Sequence, residues 1–320
     1  MNATELKLFT GNSNLALAES IAKDLGTKLG ECSVEKFSDG EVNLKINESI
    51  RGKDVFIIQS TSAPVNDNLM ELLVFIDAVK RASPERITAV VPYYGYARQD
   101  RKLGARDPIS AKLVADLLSV AGIQRMLSID LHSGQIQGFF NVPVDNLTAA
   151  FALAEHCKEK KMKELVAVSP DVGGVRRARN FATYLDAELA IIDKQRPKQN
   201  VAEVMNVIGE VEGKNCVLVD DMIDTAGSIC LAAEALKKKG AKSVYACASH
   251  GVLSGKAFEK IDSSAIEKVV VTDTIPITTK SKKIEVVSVA PLLSKAIQNI
   301  HEGKSVSELF KTEKDKGIVI

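Results

Sequence analysis

An α/β fold, with mostly parallel sheets flanked by helices, is what this 320-residue sequence predicts. Three features carry the expectation. Short β-branched runs alternate with amphipathic helical patterns along the whole chain, the pattern of strand–helix–strand units packed as a parallel sheet. The alternation occurs twice, which at roughly 150 residues per domain points to two domains, with a seam near residue 149. Several helices also carry start and stop signals with a physical reason at each end.

Taken in order, strands are expected at residues 5–10, 54–59, 87–92, 126–131, 165–169, 189–193, 217–220, 243–248 and 268–272, each an apolar, β-branched run. Ser38-Asp39-Gly40 is turn chemistry between two further strands. Asp107 is expected to cap a helix that holds Pro108 in its first turn and stops at Gly122. Another helix is expected over 226–239, with Lys237, Lys238 and Lys239 in the last turn, where cations complement the helix dipole, and Gly240 beyond it. Residues 200–205 lack a clear period, and 196–204 read as a mobile connection. The domains expected are therefore 1–149 and 150–310. Residues 311–320 form a tail, and the stretch from about 300 is free to pack back on the first domain.

Composition excludes several functions. The 42 Lys and Arg nearly cancel the 41 Asp and Glu, so the basic face that sequence-independent nucleic-acid binding needs is not expected. With no Trp and 5% aromatic residues, neither is a base-stacking platform. Apolar runs such as 87–91 fall far short of the about 18 residues that span a membrane. Asn2, Glu5 and Lys7 stand where a secretory signal would need apolar residues, so a cytoplasmic location is expected. The five cysteines, an odd number without a Cys-x-x-Cys pair, read as small buried hydrophobes in a reducing compartment.

The strongest chemical signal is Val217-Leu218-Val219-Asp220-Asp221-Met222-Ile223-Asp224-Thr225-Ala226-Gly227-Ser228. An apolar strand is expected to end in two carboxylates, and a turn of small and hydroxylated residues opens a helix. The first amides of a helix lack internal partners and sit at the positive end of its dipole, so small residues there let the backbone wrap a phosphate. Asp220 and Asp221 would repel that phosphate unless they reach the hydroxyls of an attached sugar or a divalent cation. The construction suits a ribose phosphate; its plain alternative is a helix capped by Asp224. No Gly-x-x-x-x-Gly-Lys-Ser/Thr or Gly-x-Gly-x-x-Gly occurs, so a nucleotide would not sit in a P-loop or on a dinucleotide fingerprint.

Other candidates follow strands, at the sheet edge where open α/β folds bind ligands. Arg98, Gln99, Asp100 and Arg101 follow Pro92-Tyr93-Tyr94-Gly95-Tyr96-Ala97. Arg98 is suited to phosphate oxygens and Gln99 to a base, although an arginine-rich loop also reads as solvated surface. His132, in Asp130-Leu131-His132, is the histidine best placed for a cation or phosphate, and Asp171, in Ser169-Pro170-Asp171-Val172-Gly173-Gly174, adds a carboxylate. One His with one Asp is not a tight metal site but fits a magnesium ion held mainly by substrate phosphates.

These segments, with Phe37-Ser38-Asp39-Gly40-Glu41, Gln135-Ile136-Gln137-Gly138-Phe139-Phe140 and Asp193-Lys194-Gln195-Arg196-Pro197, occur in the order found in class I ribose-phosphate pyrophosphokinases, also called phosphoribosyl pyrophosphate synthetases. The chain resembles that family to about Phe310. The resemblance implies two phosphoribosyltransferase-like α/β domains, usually in a homohexamer, that move the diphosphoryl group of ATP to the anomeric hydroxyl of ribose 5-phosphate, with AMP released. It implies an ATP site of Phe37, Asp39, Gly40 and Glu41 from one subunit with Arg98, Gln99, Asp100 and Arg101 from another. Ribose 5-phosphate would meet Asp220, Asp221, Asp224, Thr225, Ala226, Gly227 and Ser228, together with Arg196. His132 and Asp171 match the magnesium positions, and Lys194 and Arg196 the mobile catalytic segment.

The chain departs from the family pattern at Gln195, where arginine is common, at Ser228, where threonine is common, and at Gly134, which interrupts the stretch after His132. Arg51, Gln137, Asp145, Asn146, Ser305 and Ser307 fall in segments comparable to the allosteric site of regulated members, and also read as ordinary surface residues. A phosphoribosyltransferase would leave the Arg98–Gln99 and Lys194–Arg196 clusters without a purpose. A non-catalytic regulatory relative typically carries an insertion in the mobile segment, which is short here.

Overall fold

The computed structural model describes residues 4–195 and 204–310. Two compact units make up the chain. The first takes the residues through Leu147, Thr274–Pro276 and the chain from Val289 on; the second takes Thr148–Asp273 and Ile277–Ser288.

In the first unit, β1 (Leu6–Thr10) leads to α1 (Leu15–Asp24), whose N-cap Asn14 accepts from the Leu17 amide at 3.3 Å. A hairpin of β2 (Cys32–Lys36) and β3 (Val42–Ile46) follows, then β4 (Asp54–Ile58), α2 (Val65–Arg81), β5 (Arg86–Val91), α3 (Ser110–Ala121), β6 (Arg125–Ile129) and β7 (Val144–Leu147). The main sheet is wholly parallel in the order β1-β4-β5-β6-β7, and the hairpin stands as a separate two-stranded sheet. Every residue of β4 is buried, as a central parallel strand covered on both faces requires. Phe9 and Phe75 meet edge-to-face at 5.8 Å where α2 covers the sheet.

The second unit runs α4 (Ala150–Glu159), β8 (Leu165–Ser169), α5 (Val175–Leu185), β9 (Glu188–Gln195), β10 (Val204–Ile208), β11 (Asn215–Ile223), α6 (Gly227–Lys238), β12 (Ser243–Gly251), α7 (Ala257–Ser263), β13 (Val269–Thr272) and β14 (Ile284–Val287). Its sheet has the order β10-β9-β8-β11-β12-β13-β14, parallel except for the antiparallel β9–β10 edge. Cys157, Cys216, Cys230 and Cys247 are buried and Cys32 is half-buried, all as free thiols. No helix among the described residues is long and apolar enough to cross a membrane.

The structure corrects several expectations. Asp107 does not cap α3: the helix starts at Ser110, and the Asp107 carboxylate instead accepts from the Gly104 amide at 2.6 Å. The orphan amide of Ala111 is satisfied by the Gln99 carbonyl at 3.2 Å, so no side-chain cap is needed. Gly122 does end the helix, at φ 122°. β11 extends through Ile223, which places Asp220 and Asp221 inside the strand rather than at its end. β7, β10 and β14 were not expected; all three are short, and β10 and β14 form the edges of their sheet, where backbone pairing rather than side-chain alternation creates the strand. Val204, expected to be mobile, pairs with Gln195 in β10. The rest of that connection, 196–203, and the tail 311–320 lie outside the described residues.

Helix α8 (Ala290–His301), with Pro291 in its first turn, completes the first unit. It is tied to the start of the central strands by a buried carboxylate. Asp54, 2% exposed, receives Arg86 Nε at 2.9 Å and His301 Nδ1 at 2.8 Å, while Arg86 Nη2 donates to the Ile300 carbonyl at 3.1 Å. Neutralising Asp54 leaves the Arg86 guanidinium without its counter-charge. Asp54→Asn is therefore expected to lower stability by about 2 kcal/mol, read from the urea midpoint; a loss below about 0.5 kcal/mol would mean the cluster contributes no more than a surface ion pair.

Candidate functional site

The strand–turn–helix from β11 to α6 is built by neighbours that stop at different points. β8 pairs with β11 only as far as Leu218, whereas β12 follows it to Ile223. The stretch from Val219 on therefore has an open edge on the β8 side. Asp220 and Asp221 occupy it, and Arg177 on α5 meets both, Nη1 at 3.0 Å from Asp220 Oδ1 and Nη2 at 3.2 Å from Asp221 Oδ1. Burial and the adjacent Asp221 carboxylate push Asp220 up to about 7, although Arg177 pulls the other way.

The turn is held from its far side. Leu253 and Ser254 donate their amides to the Ile223 and Asp224 carbonyls at 3.0 and 3.1 Å, and Ser254 Oγ also bonds the Asp224 carboxylate. Asp224 is thus engaged by the loop and is not the helix cap. That position belongs to Ala226, left-handed at φ 59°, with no side-chain cap. A left-handed alanine costs about 1 kcal/mol, and here it turns the chain so that α6 begins at Gly227. The amides of Gly227 and Ser228 then open the helix without intrahelical partners. Lys260 on α7 donates to the Thr225 carbonyl at 3.1 Å, and its Nζ lies 3.8 Å from where a Cβ on Gly227 would project. Thr225 and Ser228 are exposed, and the arrangement can receive an anion beside acceptors for hydroxyl groups.

The first unit places its candidates past β5 and β6. Tyr93-Tyr94-Gly95 crosses so close to Thr61 that a Cβ on Gly95 would sit 2.4 Å from the Thr61 carbonyl oxygen, which is why glycine stands there. The buried Tyr94 hydroxyl donates to the Ala111 carbonyl at 2.9 Å, and burial pushes its ionisation up. From this anchored base Arg98, Gln99 and Arg101 project exposed. Gln135 Nε2 donates to Asp100 Oδ2 at 2.7 Å, which brings the 98–101 loop against the segment carrying the exposed His132. The hairpin tip carries Phe37, 53% exposed, with Gly40 at φ 95° and the Glu41 amide on Asp39 Oδ1 at 3.1 Å. An exposed aromatic on a tight turn offers a flat apolar face.

Asp171, exposed after β8, lends one oxygen to the Gly174 amide at 2.9 Å. Among the described residues no three His, Cys, Asp or Glu side chains gather as a metal cage. Donors this sparse fit a magnesium ion that takes most of its ligands from phosphate and water. Lys194 lies in β9, its backbone paired with Met205, and Arg196 lies outside the described residues. Of the residues comparable to an allosteric site, Asp145 pairs with Arg125, and Asn146 accepts from the Leu131 amide at 3.0 Å.

Two residues escaped the sequence reading. Arg177 stands among three arginines at a helix start, Arg176, Arg177 and Arg179, with nothing local to choose between them. Lys260 is one of many lysines on amphipathic helices. Only tertiary packing distinguishes either.

Known proteins resemble this chain along nearly its whole length. Residues 6–122 match the model of the N-terminal domain of ribose phosphate pyrophosphokinase, and residues 192–311 that of the phosphoribosyl synthetase-associated domain. A ribose-phosphate pyrophosphokinase of Caldanaerobacter subterraneus subsp. tengcongensis is 61% identical over 95% of this chain and 98% of its own. One from Bacillus caldolyticus is 58% identical over 96% and 98%. The crystal structure of phosphoribosylpyrophosphate synthetase from Mycobacterium smegmatis superposes with a TM-score of 0.89 at 44% identity, covering 94% of this chain and all of that one. Identity of this extent, on a fold shared from end to end, means that the chain belongs to the ribose-phosphate pyrophosphokinase family.

Proposed function

We propose that the chain carries out the reaction of this family, with the β11–α6 turn receiving the sugar phosphate: transfer of the diphosphoryl group of ATP to the anomeric hydroxyl of ribose 5-phosphate, giving 5-phosphoribosyl 1-diphosphate and AMP for nucleotide synthesis. The observation that carries the reading is the placement of two carboxylates on an open strand edge just before the start of α6, which has no side-chain cap. A sugar phosphate presents the matching groups, hydroxyls for Asp220 and Asp221 and a dianion for Asp224 to Ser228. Helix dipole and amides favour the phosphate at Gly227, and the Lys260 ammonium adds charge nearby.

ATP is assigned to Phe37, Asp39, Gly40 and Glu41 with Arg98, Gln99, Asp100 and Arg101. The Phe37 ring supplies a stacking face, Gln99 donors and acceptors for the base, and the arginines charge for phosphate oxygens. His132 and Asp171 are the proposed donors to magnesium, which when bound neutralises phosphate charge during transfer. Attack on the β-phosphorus needs attacking and leaving oxygens in line, and Lys194 and Arg196 are assigned to the charge that develops on the oxygens between. The two units, the first of which takes in Thr274–Pro276 and α8 where the sequence pattern suggested domains of 1–149 and 150–310, are assigned as phosphoribosyltransferase-like domains in a cytoplasmic homohexamer whose ATP site is shared between subunits.

Incubation with ATP, magnesium and ribose 5-phosphate is expected to release AMP in a sugar-dependent manner; ADP would indicate a simple kinase, and no turnover a binding subunit. Lys194→Ala or Arg196→Ala is expected to leave ribose 5-phosphate binding largely intact while cutting turnover about 10²-fold. Normal turnover in both variants would remove them from the catalytic role.

Asp220 gives a pH signature. A carboxyl held at about 7 in the folded protein, against 3.8 ordinarily, binds its proton more tightly when folded. Stability is therefore lost as pH rises from about 4 to about 7 and stays lost above. In magnesium-free buffer Asp220→Asn is expected to be more stable than the parent by about 1 kcal/mol at pH 8 and no more stable at pH 4, while binding the sugar more weakly. Equal melting temperatures at both pH values would show that the ionised pair carries no strain.

A further inference from the structure

Consecutive residues in a strand direct their side chains to opposite faces, and two adjacent carboxylates repel. Asp220 and Asp221 nevertheless converge on one guanidinium. Arg177 Nη1 reaches Asp220 Oδ1 at 3.0 Å and Nη2 reaches Asp221 Oδ1 at 3.2 Å, while the Asp221 amide donates to Asp220 Oδ1 at 2.8 Å. The contact exists because β8 ends before β11 does, so that α5, the helix following β8, delivers Arg177 to the exposed strand edge. A planar guanidinium fork that donates through one nitrogen to Asp220 and sets the other against Asp221 holds both carboxylates at defined positions, which a single ammonium does not do. Arg177 is only about a quarter exposed, so the pairing is shielded from competing solvent.

We propose that Arg177 is a positioning residue that sets Asp220 and Asp221 to read the vicinal hydroxyls of the pentose, and so decides between ribose 5-phosphate and its 2-deoxy analogue. The proposal rests on the assignment of residues 220–228 to the sugar phosphate. Selection against a missing hydroxyl is strong when the acceptor is held in one direction, because the analogue offers no donor in that direction. Carboxylates released from the fork would turn to water or to each other's protons, and that selection would vanish. A purely structural arginine would slow both sugars alike, whereas a positioning arginine changes their ratio.

The test compares kcat/KM for ribose 5-phosphate and 2-deoxyribose 5-phosphate, with magnesium and ATP saturating, in the parent, Arg177→Lys and Arg177→Gln. Arg177→Lys keeps the charge without the fork, and its fold is checked by circular dichroism, so it decides the matter should Arg177→Gln fail to fold. The parent is expected to prefer the ribose substrate by about 10²-fold or more. Arg177→Lys is expected to narrow that preference at least about tenfold, with KM for ATP within about twofold of the parent. An unchanged ratio in Arg177→Lys, however far both rates fall, overturns the proposal while leaving the sugar-phosphate site intact. A parent that uses both sugars equally overturns the assignment of the two carboxylates to the sugar, and the proposal with it.

Discussion

The site depends on one mismatch in strand length. β11 runs on to Ile223 beside β12 after β8 has stopped pairing at Leu218. Inside a parallel sheet every backbone group is paired and both faces are covered by helices, so a central strand can offer chemistry only beyond the reach of a neighbour. The overhang opens one edge of β11 while the other stays bonded to β12 up to the turn. Two carboxylates stand on that edge, and the left-handed Ala226 swings the chain directly into α6. Had β8 been as long as β11, Arg177 would have had no access and the pair would have had no counter-charge.

That arrangement is locally unfavourable. Burial and mutual repulsion raise Asp220, and Ala226 occupies a region that L-residues avoid. Supports surround both. The carbonyls of Ile223 and Asp224 are tied to the Leu253–Ser254 backbone, and the Thr225 carbonyl to Lys260. Stable proteins usually break local rules where they act on ligands, and the surrounding ties are what hold such strain in place.

The first unit solves the same problem with longer connections. The loop after β5 is secured by Gly95 against Thr61 and by the Gln99 carbonyl on the first turn of α3, and the segment after β6 is joined to it through Gln135 and Asp100. The exposed side chains, Arg98, Gln99 and His132, are therefore carried on a fixed base although they lie in loops. The hairpin of β2 and β3 belongs to no larger sheet, and its tip is accordingly the most solvent-exposed of the candidate segments.

Much of this was legible in the residues alone, and the reason is local. Buried parallel strands must be apolar along their whole length, so β4, β8 and β13 announce themselves, and the turn residues of Ser38-Asp39-Gly40 and Gly122 act within a few positions of where they stand. The strand–turn–helix from β11 to α6 was readable for the same reason, since its apolar run, carboxylates and small residues are adjacent in sequence. What tertiary structure decided were the facts that involve two distant segments. Asp107 looked like a cap, but the connection folds back so that α3 starts later, at Ser110, with the Ala111 amide bonded to the Gln99 carbonyl and the Asp107 carboxylate turned to Gly104. β10 and β14 exist because a neighbouring strand offers its backbone, which no period in their own residues records. Arg177 and Lys260 could not be told from other cations until α5 and α7 were packed beside β11, because a charge acquires a role from what it faces, and that is set by the fold.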